Sequence, residues 1–543
     1  MALPSKARLG EIAVKGVHFG LRQVAQAPEQ RTARQLAAQA ADRLPPPGPD
    51  APRVAFVTPR DWAVHVQWEG VLGQALRARG AHVSFVTCGG GLEVCDRANT
   101  WEAPPMPCTT CTRYVEDSVD AHGFERISLR DGWDGRVDET WPELDARSLD
   151  SLSEVELGGL ALGELVDIPA KWFLMAAQIA DDPLAPQTMR AFLRSARRIA
   201  AGAEAALDRL QPDVVVLCNG LFVFEAVVWA ICRQRGIPVV TYERGLIKET
   251  WLFRRDEAAC LLAIDDLWAR WRDEPLSAAE ATELDEYLGA RRHGQRTIDR
   301  FWGDAQFERP QRTRSGSLAV LFTNLTWDSA VIGQEVAFDS IQSWVAATGE
   351  HFAHRPDDEL IIRIHPAPVK LPGKQTREPV AAFLRQRFPD GLPANVRVIE
   401  PTDPTSSYPL MEEADVGLVF TSTTGVELAL AGTPVLVAGR SHFRGKGFTV
   451  DVSTPDEFAD ALDAALDDPA SFAPDPELAR RYAYLFFFRA PVPSPGVEEH
   501  VLGLARITVD DLDQLAEGAD PGLDRICDGI LGRGDFGPPP RPA

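Results

Sequence analysis

Short apolar runs alternate with longer amphipathic stretches in the first half of the chain. The apolar runs, five to seven residues long and rich in Val, predict strands at 54–58, 81–87, 213–218 and 237–242. Apolar positions repeat with helical spacing between them, near 66–79 and 224–235. This order predicts a parallel sheet with helices on both faces.

The same rhythm restarts after residues 310–316, which we interpret as an interdomain linker. The second half predicts strands at 318–322, 359–364, 396–399, 415–420 and 434–438, and helices near 335–347, 376–388, 425–431 and 455–466. The predicted fold class is therefore α/β, with two doubly wound Rossmann-like domains that face a cleft.

A chain of 543 residues is too long for a single core. We divide it into an amphipathic helical segment at 1–45, a first domain at 53–309, a second domain at 317–490, and a helical extension at 491–543. The Pro-rich segment 45–52 is a stiff linker. The final residues, GPPPRPA, are predicted to be disordered.

The charge balance limits the classes of partner. A formal net charge of -23 argues against a nucleic-acid polymer, because phosphate backbones select basic surfaces. There is no run of about 18 apolar residues, and the N-terminus has no apolar signal core, so we expect a cytoplasmic protein.

The first 35 residues differ from this acidic background, and two interpretations remain open. Apolar positions on one helix face would suit either an ordinary surface helix or a segment lying on an anionic membrane, which would add a peripheral contact with the inner membrane surface. The basic residues of this segment, opposed by Glu11 and Glu29, are Lys6, Arg8, Lys15, Arg22, Arg31 and Arg34.

The stretch 415–439 carries the clearest functional signal. Its polar turn, TSTTG, follows a buried strand and begins a helix, and ligands of open α/β sheets bind at such strand ends. Helix-start amides and the hydroxyls of Thr421, Ser422, Thr423 and Thr424 would suit phosphate oxygens. The alternative is that these residues only cap a helix.

A second strand end lies upstream. The segment IIRIHP at 361–366 places Arg363 and His365 where a neighbouring parallel strand should finish, so the two polar tips are expected to converge on one crevice. A His bonded only to backbone is the alternative for His365. The basic cluster after 434–439 is either an anion contact or a solvated loop, and comprises Arg440, His442, Arg444 and Lys446.

Several motifs together resemble a known family. They are LFTNLTWDS at 321–329, RIHP at 363–366, TSTTGVELALAGTPVLVAG at 421–439 and GKGFTVD at 445–451, with WAVHVQWEG at 62–70 and YERG at 242–245 in the first half. In their order and spacing they resemble the capsule polysaccharide biosynthesis family, whose members include glycosyltransferases related to capsular Kdo transferases and similar to GT-B enzymes.

The resemblance implies a nucleotide-sugar donor site in the second domain and a saccharide acceptor site in the first. His365 would face the donor phosphate, the 421–425 turn including Gly425 would hold phosphate oxygens, and Glu427 would meet a ribose hydroxyl. A first-turn helix acid is the alternative for Glu427. Cations would stabilise the charge that grows on the leaving group. Further donor-binding residues are Asn324, Arg363, Arg444 and Lys446.

An inverting reaction needs a base for the acceptor hydroxyl. Asp61, His65 and Glu69 follow the first strand, and Glu243 ends another. We favour His65, because imidazole titrates near neutral pH, with Glu243 as the second choice. In the alternative interpretation, Glu243 and Arg244 form a structural pair.

Half of the eight cysteines fall in one loop, 88–111. The spacing of Cys88, Cys95, Cys108 and Cys111 is C-x6-C-x12-C-x2-C. Because a reducing cytosol disfavours disulfides, we predict a metal centre, either zinc or an iron–sulfur cluster, with unliganded thiols as the alternative.

A nucleotide-sugar-dependent glycosyltransferase of surface or capsular polysaccharide biosynthesis is the favoured function. A nucleotide-sugar epimerase or polyol-phosphate transferase on the same two-domain plan remains open, as does a noncatalytic partner in polysaccharide assembly, because fold alone does not separate these functions.

Overall fold

The computed structural model describes residues 6–538 except 23, 25, 134–136, 138–140, 299–305, 368–372, 495 and 502. Most of the Pro-rich tail, 539–543, therefore lies outside the described residues. Among the described helices, none is long and apolar enough to cross a membrane.

The first sheet is built from strands of the first half and one strand from near the C-terminus. Its order is β13-β6-β5-β4-β1-β2-β3; β1 to β5 are parallel, β6 is antiparallel to β5, and β13 is antiparallel to β6. The strands are β1 Arg53–Thr58, β2 His82–Thr87, β3 Glu125–Ser128, β4 Val214–Cys218, β5 Val239–Arg244, β6 Thr250–Arg255 and β13 Val492–Pro493.

The second sheet is parallel throughout its described strands, in the order β12-β11-β10-β7-β8-β9. Its order reverses between β7 and β10, and such a switch point opens a crevice at the carboxyl ends of the strands. The strands are β7 Leu318–Phe322, β8 Glu359–Arg363, β9 Val396–Ile399, β10 Val416–Val419, β11 Val435–Val437 and β12 Val450–Asp451. The predicted fold class, two doubly wound sheets, is confirmed.

Helices cover both faces of the two sheets, and a hairpin of β14 Val497–Val501 and β15 Leu504–Ile507 packs on α3. The helices are α1 Lys6–Arg22, α2 Pro28–Arg43, α3 Ala63–Ala78, α4 Cys108–Ala121, α5 Leu149–Ser153, α6 Leu162–Leu165, α7 Asp167–Leu174, α8 Ala185–Leu210, α9 Val223–Arg235, α10 Asp265–Trp271, α11 Ala278–Arg292, α12 Ile341–Phe352, α13 Val380–Arg387, α14 Ser407–Glu413, α15 Thr424–Leu430, α16 Pro455–Asp467, α17 Pro476–Tyr484 and α18 Pro521–Ile530.

The two halves exchange elements. Helices α10 and α11 precede the linker in sequence, yet Trp268 and Tyr287 share an apolar cluster with Leu318 and Val320 of the second sheet. Conversely, β13 joins the first sheet and α18 packs on α3. These crossings bring both halves to a common cleft.

Candidate functional site

A cavity of about 410 Å³ opens where the carboxyl ends of the second sheet face the first half of the chain. Its volume lies in the range of small-ligand pockets. The first half and α11 contribute Leu246, Cys260, Leu261, Leu262 and Arg291. The second half contributes, among others, Asn324, Asp328, Arg363, His365, Tyr408, Thr421, Ser422, Thr423, Thr424, Glu427, Arg440 and His442.

The predicted hydroxyl turn does lie on this cavity. Thr421 donates its backbone N–H to Asn324 Oδ1 at 3.3 Å, which ties the end of β10 to the loop after β7. Ser422 donates its hydroxyl to Thr424 Oγ1 at 3.0 Å and accepts from the Thr424 amide at 3.3 Å.

Gly425 has a packing role instead of a place on the cavity wall. A Cβ at this position would lie 2.5 Å from Phe443 Cζ and 2.9 Å from its Cε2. Its amide is already bonded to the Ser422 carbonyl at 3.0 Å. Gly425 was predicted to contact the nucleotide-sugar donor. In the structure it instead allows the turn to pack closely against Phe443.

His365 lines the cavity with a defined tautomer. Its Nδ1 accepts from the Ala367 amide at 3.1 Å, so the neutral ring carries its proton on Nε2. Its own amide donates to Thr323 Oγ1 at 3.0 Å. The strand end thus presents an imidazole that can donate a hydrogen bond, which is consistent with the predicted contact to a phosphate oxygen.

Arg363 also reaches the cavity, but its guanidinium is already engaged. It donates to the carbonyls of Glu400 at 2.9 Å and Thr405 at 3.0 Å. The residue is 3% exposed, and burial lowers its pKa. Arg363 therefore braces the loop after β9 and offers a ligand little beyond its positive charge.

Glu427 faces the cavity as one half of an ion pair. Its Oε1 lies 2.9 Å from Arg291 Nε, and both side chains are about nine-tenths buried. Burial, followed by the charge of Glu427, raises the pKa of the neighbouring Tyr408. Arg291 was missed in the sequence because it precedes the linker, 136 residues from its partner.

The basic cluster after β11 divides into two pairs. Arg440 and His442 line the cavity. Arg444 instead donates to the carbonyls of Val437 at 3.2 Å and Val452 at 2.8 Å, and Lys446 is buried in an ion pair with Asp265. The predicted donor-binding roles of Arg444 and Lys446 are therefore corrected, because both cations brace the fold around β11 and α10.

The first half supplies a carboxylate at the end of β5. Glu243 accepts from Asn219 Nδ2 at 3.0 Å and from the Arg244 amide at 2.9 Å. Burial raises its pKa above the ordinary value, and the charge of Asp328, which lines the cavity, acts in the same direction. Asp328 belongs to the quoted LFTNLTWDS motif, but its sequence context gave no reason to assign it a role.

The structure disfavours His65 as the base. It lies in an aromatic cluster, 5.3 Å from the ring of Trp251 and 5.8 Å from that of Tyr242, and its Nδ1 is 3.6 Å from Cys218 Sγ. Burial, with the charge of Arg244, lowers its pKa to about 3, which makes it a weak base. Neither His65 nor Glu243 is among the residues that line the described cavity wall.

The two other acidic residues near the first strand have structural partners. Glu69 accepts hydrogen bonds from Thr58 Oγ1 and Tyr242 OH, each at 2.6 Å. Burial raises the pKa of Glu69 to about 7. Asp61 pairs with Arg97. Glu243 therefore remains the favoured base, because burial raises its pKa and the cavity residue Asp328 acts on it, whereas burial lowers the pKa of His65.

The loop 373–378 is hydrogen-bonded to the first half of the chain beside this site. The Glu378 carboxylate accepts from the amides of Ala177 and Gln178, each at 2.9 Å. The Arg377 amide donates to the Met175 carbonyl at 3.0 Å, and Asn99 Nδ2 donates to the Gly373 carbonyl at 2.8 Å. These bonds hold the two halves together at one edge of the cleft.

The four cysteines of the 88–111 loop line one small cavity of about 20 Å³. Burial raises the pKa of the Cys88 and Cys111 thiols to about 12. Among the described residues, however, no group of three or more His, Cys, Asp or Glu side chains is arranged to hold a metal ion. The geometry therefore gives the metal centre no support, and the zinc or iron–sulfur assignment stays a prediction.

Comparison with known families supports the resemblance found in the motifs. Residues 279–468 match the model of the family described as capsule polysaccharide biosynthesis protein. This segment contains β7 to β12 and every cavity residue of the second half. The predicted family resemblance is confirmed over that segment. No curated protein sequence matches the chain.

Solved structures that match this chain include transferases and an epimerase. KpsC of Thermosulfurimonas dismutans, a beta Kdo 2,7 transferase, is 13% identical, with 58% of this chain and 88% of that chain covered at a TM-score of 0.33. The glycosyltransferase SnogD of Streptomyces nogalater is 14% identical, with coverage of 82% and 97% at a TM-score of 0.26. The UDP-GlcNAc 2-epimerase of Neisseria meningitidis is 12% identical, with coverage of 79% and 94% at a TM-score of 0.26. The fold class itself stands on the topology of the two sheets.

Proposed function

We propose that this chain is a glycosyltransferase that moves a sugar from a nucleotide-activated donor to a saccharide acceptor in surface or capsular polysaccharide biosynthesis. The observation that carries the proposal is the 410 Å³ cavity at the switch point of the second sheet, where hydroxyls, an imidazole and a cation face the first half of the chain. The match of residues 279–468 to the capsule family supports the same function.

The donor phosphate is proposed to bind at the ends of β8 and β10. When the bond between sugar and phosphate breaks, negative charge grows on the leaving oxygen, and fixed donors stabilise that charge. The hydroxyls of Ser422 and Thr423, the Nε2–H of His365 and the guanidinium of Arg440 are the groups on the cavity wall that supply such donors.

The acceptor is proposed to enter from the first half of the chain, with Glu243 as the base. A carboxylate whose pKa is raised by burial holds a proton more tightly than an exposed one, so it accepts the acceptor hydroxyl proton more readily. The bonds from Asn219 and from the Arg244 amide fix the carboxylate in one orientation.

A two-stage experiment tests this function. Thermal-shift measurements with CMP, UDP, GDP and TDP come first, because a ligand that binds only the folded state raises its stability. Sugar esters of the stabilising nucleotide are then supplied with and without oligosaccharide acceptors, and products are followed by mass spectrometry. We expect turnover that requires an acceptor.

The other outcomes separate the alternatives. Sugar conversion without any acceptor would identify the protein as an epimerase instead of a transferase. Transfer of a polyol phosphate from a nucleotide-activated polyol would identify it as a polyol-phosphate transferase. Failure of all nucleotides to raise the melting temperature would favour a noncatalytic assembly partner. We expect the enzyme to act in the cytoplasm.

A further inference from the structure

Helix α1 and the turn after it expose an unusual concentration of large apolar side chains. Val14, Val17, Phe19 and Val24 are 46%, 66%, 57% and 65% exposed. Across the rest of the described chain, only Trp101, Leu157 and Phe307 are large hydrophobic residues with comparable exposure. Four such residues within eleven positions form a surface that water solvates poorly.

Two of these residues share one side of the helix. Val14 and Val17 are three residues apart on α1, so their side chains follow one face, and Val24 lies in the turn just past the helix end. Phe19, two residues after Val17, points to a different side of the helix. We call Val14, Val17 and Val24 the α1 apolar face.

Two other residues of α1, His18 and Arg22, fix the helix to α2 and α4. His18 Nε2 lies 2.9 Å from Glu29 Oε2, and the Glu29 side chain is fully buried. The Arg22 guanidinium lies 4.1 Å from the centre of the Tyr114 ring, and its Nε is 3.5 Å from Glu29 Oε1. These contacts hold α1 in one orientation, with the α1 apolar face turned outward.

The charge of α1 is opposite to that of the whole chain. Its sequence carries four basic residues, Lys6, Arg8, Lys15 and Arg22, against the single acid Glu11, whereas the chain has a net charge of -23. An anionic surface would attract this helix and repel the rest of the chain, which is acidic. The protein would therefore approach such a surface with α1 facing it.

We propose that α1 docks the protein on an anionic lipid bilayer, with the α1 apolar face in the interfacial layer. A basic helix with an exposed apolar face typically lies in the plane of the interface between an anionic bilayer and water. The charge decides between a bilayer and a second copy of this chain, because two α1 helices packed face to face would bring like charges together.

Vesicle flotation tests the proposal with the full chain. Vesicles of phosphatidylglycerol and phosphatidylcholine are compared with vesicles of phosphatidylcholine alone at low salt. We expect the protein to float with the anionic vesicles, and we expect 0.5 M NaCl to weaken binding several-fold because salt screens the charge attraction. The double variant Val17→Asp and Val24→Asp should lower the partition coefficient at least about tenfold.

The matched control is the double variant Leu157→Asp and Phe307→Asp, which places the same two charges at exposed apolar residues away from α1. It should float as the wild type does, and near-identical circular dichroism and melting of all variants would show that folding is retained. Absence of flotation with anionic vesicles, or unchanged binding by the double variant, would overturn the proposal. A dimer in light scattering that the double variant converts to monomer, without vesicle binding, would assign the face to a second copy instead.

Discussion

Arg291 and Glu427 are 136 residues apart in sequence and form an ion pair of 2.9 Å at the wall of the proposed donor cavity. Arg291 lies in the last turn of α11, which precedes the linker, and Glu427 lies in α15, at the switch point of the second sheet. The pair therefore joins two segments on either side of the linker at the edge of the cavity.

Removing one partner of this pair should destabilise the chain more than removing both. Arg291→Met leaves a nearly buried carboxylate without its partner, and we expect a loss of about 3 kcal/mol in the free energy of unfolding. The double variant Arg291→Met and Glu427→Met should lose less. Denaturant unfolding of the four proteins measures this coupling, and additive losses would contradict a paired role.

The turn hydroxyls are predicted to act on the ligand. Ser422→Ala with Thr423→Ala should weaken nucleotide binding by at least about tenfold per lost contact, because a hydrogen bond to a charged group contributes roughly 1.5 to 3 kcal/mol. Calorimetric titration of the nucleotide found in the thermal-shift screen gives the affinity.

The matched control for the turn is Thr454→Ala. Thr454 accepts from the Glu457 amide at 3.1 Å as the N-cap of α16, outside the described cavity wall. This control should lower stability by about 1 kcal/mol and leave nucleotide affinity unchanged. A turn variant that melts early and still binds nucleotide normally would show that the hydroxyls only cap α15.

Sequence patterns predicted the strands and the tip residues because these depend on local order. The strand 318–322 was predicted with the bounds that the structure gives, and Thr421 to Thr424 follow β10 as expected. Strand β6, in contrast, was not predicted, and neither was the return of β13 to the first sheet. Both depend on antiparallel pairing between segments, which an apolar run does not specify.

Three predicted site residues have internal partners in the structure. His65, Arg444 and Lys446 have the right chemistry for a site, but tertiary packing gives each of them internal partners: an aromatic cluster, backbone carbonyls and Asp265, respectively. Residue type and motif position do not reveal such partners. Arg291 was missed for the converse reason, since only the fold brings it to the cavity.

Glu243 is predicted to be the base of the reaction. Glu243→Gln should lower turnover by roughly 10²- to 10⁴-fold with little change in nucleotide affinity, because it serves the acceptor. Since burial raises its pKa, wild-type activity should fall as pH drops below that raised value, where the carboxyl becomes protonated. The His65→Gln variant should show the same fall of activity at low pH. Absence of that fall in the variant would assign the role of base to His65.

Glu69 should make stability depend on pH. Its folded-state pKa is raised from 4.5 to about 7 by burial, so the native state holds its proton more tightly than the unfolded state does. The stabilisation is complete below about pH 4.5 and is lost as pH rises through 7, a change of about 3 kcal/mol. Unfolding of wild type and Glu69→Gln at pH 5 and pH 8 isolates this contribution. Equal differences between the two proteins at both pH values would contradict it.

The 88–111 loop is predicted to hold a metal centre. Cys88, Cys95, Cys108 and Cys111 line one cavity with room for about one small atom, although among the described residues no set of side chains is spaced as metal ligands. Binding of zinc would therefore require the thiols to rotate inward and lose their protons, which the positive charge of the ion would favour.

The hypothesis predicts about one zinc, or an iron–sulfur cluster, per chain in untagged protein purified without air. Elemental analysis and thiol titration measure this, with Cys232→Ser as a control, because this buried cysteine lies outside the loop. Folded protein that contains no metal and has all four thiols titratable after unfolding would contradict the hypothesis, and the cluster would then be ordinary packing of small apolar side chains.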